Sequence, residues 1–161
     1  MTPRATVAGL AVALLGLGVV LLPAAVLAHP TDDEAAAEQI DPEFAAGKAA
    51  IAAKDWSAAI RLLSSVALRD TRNADIQNYL GYAYRKANQL EPAFKHYLRA
   101  LQLNPRHRGA HEYIGEAYLL ANQPAKAEEH LAALDKICLI PCEEYEDLKK
   151  EIAAYRRRAT K

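Results

Sequence analysis

Between residues 74 and 107 the chain reads ADIQNYLGYAYRKANQLEPAFKHYLRALQLNPRH, and its apolar positions recur at a helical period. Leu80, Gly81 and Tyr84 share one face of a first helix, while Ala93, Tyr97, Ala100 and Leu101 form the stripe of a second. Asn88-Gln89 stands between the stripes, where the first helix ends. Pro105 stops the second helix after Asn104, because proline disfavours a helical residue before it. The segment therefore predicts two antiparallel helices joined by a tight turn. Gly81 and Ala93 are small where the helices must approach, and Tyr84 and Tyr97 fill the space beside them.

The pattern repeats. Gly47, Gly81 and Gly115 are 34 residues apart, and three alanine columns keep the same register: Ala49, Ala83 and Ala117; Ala53, Ala87 and Ala121; Ala59, Ala93 and Ala127. Asn88-Gln89 returns as Asn122-Gln123, and Tyr79 and Tyr84 return as Tyr113 and Tyr118. A fixed period of this length marks stacked supersecondary units. Three units follow, 40–73, 74–107 and 108–141. In the first, Asp41 is placed to cap a helix with Pro42 at its first position, and Asp55 to cap the next with Trp56 behind it. Hairpins of this kind bury their apolar faces only against neighbours, so a terminal cap is needed. Residues 142–161 supply one as a capping helix and basic tail. Tyr145, Leu148, Ile152 and Tyr155 lie on one face, Glu143 and Glu144 open the helix, and Arg156, Arg157 and Arg158 close it as the helix dipole favours. Seven helices are expected.

In the middle unit Leu80, Gly81, Tyr84, Ala93, Tyr97, Ala100 and Pro105 together resemble the tetratricopeptide (TPR) repeat, a 34-residue helix–turn–helix. The third unit keeps Ile114, Gly115, Tyr118 and Ala127, with Leu131 where the family prefers an aromatic residue and Leu139 in place of the late proline. The first unit keeps Gly47, Ala59 and Leu63 but has Ala46, Ala50 and Arg72 in signature columns. The resemblance covers residues 40–141 and implies an all-α fold: a right-handed α-solenoid of three hairpins plus the capping helix.

The resemblance also implies a function. Such stacks bind an extended or helical segment of another polypeptide along a concave side lined by first helices. Carried over by position, the lining is Phe44, Lys48 and Ile51, then Asn78, Tyr82 and Arg85, then Glu112, Glu116 and Leu119. Lys48, Asn78, Tyr82, Arg85, Glu112 and Glu116 are the candidate binding residues; the alternative is an ordinary solvated surface. Phe44 stands where many relatives have a lysine that grips a terminal carboxylate, and Lys48 where they have asparagine. That clamp is absent, so docking to cytosolic chaperones is not expected.

Charge and compartment sharpen this picture. The chain balances 20 Lys+Arg against 20 Asp+Glu, which leaves no electrostatic footprint for nucleic acid. His29–Ile60 holds seven acids and two bases, Arg61–His111 nine bases and three acids, and Glu112–Cys142 five acids and two bases. A basic middle between acidic flanks suits one side of a polarised groove, or a solvated surface. Arg4 precedes an uncharged run from Ala5 to Ala28 that ends in Val26-Leu27-Ala28, the pattern of a secretory signal peptide over residues 1–28. The alternative is an uncleaved anchor in the inner membrane, since residues 5–28 are long enough to span a bilayer. A mobile acidic leader, 29–39, would follow. The expected setting is the periplasm, and the layout resembles small exported bacterial TPR proteins.

Cys138 and Cys142 flank Pro141 between the last repeat helix and the capping helix. A redox pair, half a metal site, reduced core thiols and a disulfide staple are all conceivable. The export signal and the turn at Pro141 favour a staple. His107 and His111 stand four apart, but Pro105 places His107 before its helix begins, and no metalloprotease carboxylate follows. His96 and His130 share a column on the side of the second helix away from its apolar stripe and are expected to be solvated. No phosphate-binding glycine loop and no Ser/His/Asp set is recognisable. The expectation is a non-enzymatic scaffold or adaptor of the bacterial envelope, with a protein or peptide partner and no catalytic residues, metal or cofactor. A membrane-tethered assembly chaperone, and a metal- or thiol-dependent activity, are the alternatives.

Overall fold

The computed structural model describes residues 41–160. The expected signal peptide and the acidic leader lie outside them. Among the described residues seven helices run in order: α1 (Pro42–Ala52), α2 (Trp56–Arg69), α3 (Ala74–Lys86), α4 (Leu90–Leu103), α5 (Arg108–Leu120), α6 (Pro124–Ile137) and α7 (Glu143–Ala159). Among the described residues no helix is long and apolar enough to cross a membrane.

The turns repeat as faithfully as the helices. Lys54, Asn88 and Asn122, 34 residues apart, are the described non-glycine residues with positive φ, at 59°, 60° and 58°. Each lets two amides turn back onto the helix just ended. Lys54 N–H donates to Ile51 O and Asp55 N–H to Ala50 O; Asn88 and Gln89 do the same to Arg85 and Tyr84, and Asn122 and Gln123 to Leu119 and Tyr118. These are Schellman closures, which satisfy carbonyls that a helix end otherwise leaves bare. The next helix starts at once. Asp55 caps α2 through Ala58 N–H at 2.9 Å, and Asp41 caps α1 through Glu43 and Phe44 N–H, as their positions predicted.

The glycine column marks close packing inside each unit. A Cβ at Gly47 would stand 2.7 Å from Leu63 Cδ2, and one at Gly81 would stand 2.7 Å from the ring of Tyr97. Leu63 and Tyr97 are fully buried, each sixteen residues beyond its glycine. The third unit breaks this rule, because Gly115 faces Leu148 of α7 and not Leu131. Leu80, Ile114 and Leu148 are themselves 34 apart and all buried, so α7 occupies the place of a fourth first helix. Its Leu148 and Ile152 join Leu119, Ala127 and Leu134 in one core, with Tyr145 and Tyr155 packed at its edge. Cys138 ends α6, Cys142 begins α7, and a disulfide joins them with Cα atoms 5.9 Å apart.

First helices approach in succession, α1 to α3, α3 to α5 and α5 to α7, whereas no two of α2, α4 and α6 bring their Cα atoms within 8 Å. Close spacing on one side and separation on the other curve the stack, with the first helices on the inner side.

Candidate protein-binding groove

The inner face carries an aromatic ladder interleaved with cations. Phe44 meets Tyr79 edge-on at 5.7 Å, and Tyr82 meets Tyr113 at 5.0 Å, in each case from adjacent first helices. Trp56 adds an edge contact to Tyr82 at 6.3 Å. Lys48 Nζ lies 5.0 Å from the Phe44 ring and 6.0 Å from Tyr79. Lys86 lies over Tyr82 at 5.3 Å. Aromatic faces attract cations by their quadrupole, and half-buried rings keep an apolar surface at the groove floor.

Arg85 is the centre of this face, but it is committed to the fold. Its guanidinium lies over the adjoining rings of Tyr82 and Tyr113, 5.3 and 5.4 Å from their centroids, pairs with Glu116, and donates from Nε to Tyr97 Oη at 3.2 Å. It is only 5% exposed. Arg85, expected among the partner-binding residues of the groove, is thus an internal arginine that fixes Tyr82, Tyr113 and Glu116 in place. Burial pushes the Tyr97 and Tyr113 hydroxyls well above the usual phenol range, which keeps them neutral donors and acceptors.

Asn78 and Glu112, on adjacent first helices, are more buried than exposed-groove reasoning suggests, and both line a cavity of about 510 Å³ beside the ladder. Burial, with Glu116, Asp147 and Glu144 nearby, pushes the Glu112 carboxyl up to about 8. Two of those acids, Glu144 and Asp147, come from α7, which sequence reasoning assigned only to capping. The signal was present: the 34-residue step from Tyr113 lands on Asp147. Tyr79 and Tyr113 were visible as a repeat column, but their place beside the groove depends on the curvature.

His96 and His130 are not the solvated residues expected. His96 is half-buried, stacks on Tyr84 at 5.4 Å with planes 3° apart, and its Nδ1 lies 2.8 Å from Gln77 Oε1. One repeat on, His130 stacks on Tyr118 at 5.6 Å, and its Nδ1 lies 2.9 Å from Nδ1 of His111. Gln77, Tyr84 and His96 become His111, Tyr118 and His130 by the same 34-residue step. The helical stripe left room on its flank for a ring from the preceding helix, which a count along one helix does not reveal. His107 and His111 also part company. His107 caps α5 through Ala110 N–H at 3.1 Å and meets Asp75 at 3.0 Å, while His111 turns to His130 and to Pro105 O at 3.1 Å. Among the described residues no three His, Cys, Asp or Glu side chains converge as metal ligands would.

Stacked helical hairpins with the first helices on the inner side, an aromatic groove floor and a terminal cap define an α-solenoid. The sequence model of the tetratricopeptide repeat matches residues 74–107, and the helical order and turns repeat that unit on either side, so the described residues form an all-α solenoid of tetratricopeptide-repeat type. Among curated proteins, human protein O-mannosyl-transferase TMTC3 is 32% identical over 75 residues, 47% of this chain but only 8% of the transferase's own length. The Sgt2 TPR domain of Aspergillus fumigatus superposes with a TM-score of 0.66 at 21% identity, over 74% of this chain and 78% of that one. PcrH in complex with the chaperone binding region of PopD superposes with a TM-score of 0.65 at 16% identity, over 73% of this chain and 91% of PcrH. At these identities the two structures share the fold.

Proposed function

We propose that this chain is a non-catalytic adaptor of the bacterial cell envelope that holds a segment of another polypeptide against the inner faces of α1, α3 and α5. The observation that carries this reading is the ladder Phe44–Tyr79 and Tyr82–Tyr113, which offers half-buried rings and ordered cations across two repeat boundaries. Rigid aromatic anchors with little side-chain entropy to lose are the usual hot spots of interfaces. PcrH, of the same fold, holds a region of PopD, which supports a polypeptide ligand. The transferase relative shares too little of its length to bring its chemistry here. The cysteines are paired, which leaves no described thiol for thiol chemistry. A membrane-tethered assembly chaperone is the same reading with the leader retained.

A photo-reactive phenylalanine analogue placed at Tyr82, in the intact chain in its native cells, tests the groove. It should cross-link a discrete partner, and the same analogue at exposed Leu98 on the outer side should not. Equal adducts from both positions, or adducts from Leu98 alone, would reject the inner face. N-terminal sequencing of the fractionated chain tests the setting: a start at His29 in the soluble envelope fraction is expected, and an intact Met1 end in the membrane fraction would make it a tethered form.

A further inference from the structure

The cavity beside the ladder is lined by five carboxylates, Asp75, Glu112, Glu143, Glu144 and Asp147, against three bases. Among the described residues His107 pairs with Asp75 at 3.0 Å and Arg108 with Glu144 at 3.4 Å, while Arg106 donates to Ile137 O at 3.3 Å. Glu112 and Asp147 have no ion-pair partner among them. Asn78 is 4% exposed, and its Oδ1 is buried without a hydrogen-bond partner while the side chain lines the cavity. A buried acceptor left bare costs free energy unless a ligand completes it. Gly109 helps keep this arrangement open, because a Cβ there would stand 3.2 Å from Asn78 Nδ2. Tyr79 and Tyr113 complete the wall.

Resting on the polypeptide-binding reading above, we infer that this cleft between α3, α5 and α7 receives the guanidinium of an arginine in the bound segment. The planar fork supplies donors for Glu112 and Asp147, and for Asn78 Oδ1 once that amide turns toward the cleft, and its face stacks on tyrosine. The fold already contains the same chemistry nearby, where Arg85 packs over the adjoining rings of Tyr82 and Tyr113 and pairs with Glu116. In the cavity Tyr113 and a glutamate one turn earlier on α5 are present, and the cation is the missing part. The described acids do not converge on a point as ligands of a metal ion would, which suits a spread set of donors better than a divalent cation. The raised pKa of Glu112 agrees: burial and then the neighbouring acids disfavour its charge, and a bound cation would offset both.

Selection of a random dodecapeptide display library on the full chain at pH 8 tests this. Selected peptides should carry arginine at one fixed position, and replacing it by citrulline should weaken binding about tenfold or more, as loss of a charge-assisted contact does. Glu112→Gln and Asp147→Asn proteins should still bind but discriminate arginine from citrulline far less. Peptides whose binding depends on Tyr82 but shows no arginine preference would overturn this inference and leave the groove reading intact. Selection of peptides that bind equally to the Tyr82→Ala protein, or of none, would overturn both. If millimolar spermidine raises the melting temperature of the wild type but not of Glu112→Gln, and peptides carry no fixed arginine, the cleft takes a free polycation and the peptide assignment fails.

Discussion

A Cβ placed on Gly115 would stand 2.6 Å from Cδ2 of Leu148, the tightest of the glycine contacts along the solenoid. This relationship makes α7 part of the repeat stack. Leu148 is fully buried in the core shared with Leu134 and Ile152. Leu148→Ala should cost about 2–5 kcal/mol, the usual range for a truncated core leucine. Urea unfolding of the full chain measures it, and a midpoint within error of wild type would mean that α7 is a loosely attached appendage.

Gly81 makes the same argument in the middle unit. With Tyr97 wholly buried and 2.7 Å from a would-be Cβ, Gly81→Leu has no flexible neighbour to displace into solvent. Overpacking of this kind costs about 1–3 kcal/mol or more. An unchanged thermal melt would contradict the packing.

These two glycines show what was legible in the sequence. The period, the caps at Asp41 and Asp55 and the capping face of α7 all follow from residue type and spacing, because each is local to a helix or a turn. The roles of Arg85, His96 and His130 were not legible. Most of their partners lie on other helices, and whether a polar side chain on a helix flank meets water or a neighbour is decided by the inter-helix angle. The acidic contribution of α7 to the Asn78 cavity was hidden for the same reason.

Lys54 is the exception in the turn column. Asn88 and Asn122 tolerate the left-handed region, whereas lysine does so at a steric cost. Lys54 is exposed, and the turn uses only its backbone amide. Lys54→Asn should therefore stabilise the first unit, and Lys54→Gly should do so by roughly 0.5–1 kcal/mol. Chemical denaturation of the three proteins side by side gives the answer, and a loss of stability in both variants would refute it.

The Cys138–Cys142 disulfide closes a ring of five residues whose Leu139 and Ile140 are largely exposed, so it adds no core. Its effect should come from the unfolded chain alone, about 2 kcal/mol for so short a loop. Reduction, or replacement of both cysteines by serine, should lower stability by about that amount without changing the circular dichroism spectrum. A loss several times larger would show that α7 docks only when stapled.

His130 sets an acid limit. Burial, with His111 beside it, lowers its pKa to about 4 from an ordinary 6.5, and burial also lowers that of His111. A base kept neutral by the fold contributes stability that is complete above the ordinary pKa and is lost as pH falls toward the folded one. His130→Gln should flatten the decline between about pH 6.5 and 4. Melting temperatures of both proteins across that range test this, and parallel curves would mean that the pair is not desolvated in solution.

Glu112 works in the opposite direction, and it connects stability to the cleft. Its carboxyl is raised from 4.5 to about 8, so the folded state favours the protonated form. An acid whose folded pKa lies above its unfolded one costs nothing below about 4.5. The penalty grows as pH rises through the window up to about 8, by about 1.4 kcal/mol for each tenfold difference in proton affinity between the folded and unfolded chain. Glu112→Gln should therefore be close to neutral at pH 4, where His130 acts equally in both proteins, and more stable than wild type at pH 9 by a few kcal/mol. A cation bound beside Glu112 would remove that penalty and expel the proton. Binding of an arginine peptide at pH 7 should then release close to one proton per complex, seen as a buffer-dependent enthalpy in calorimetry, and Glu112→Gln should abolish the release. Binding with no proton release in the wild type would separate Glu112 from the ligand.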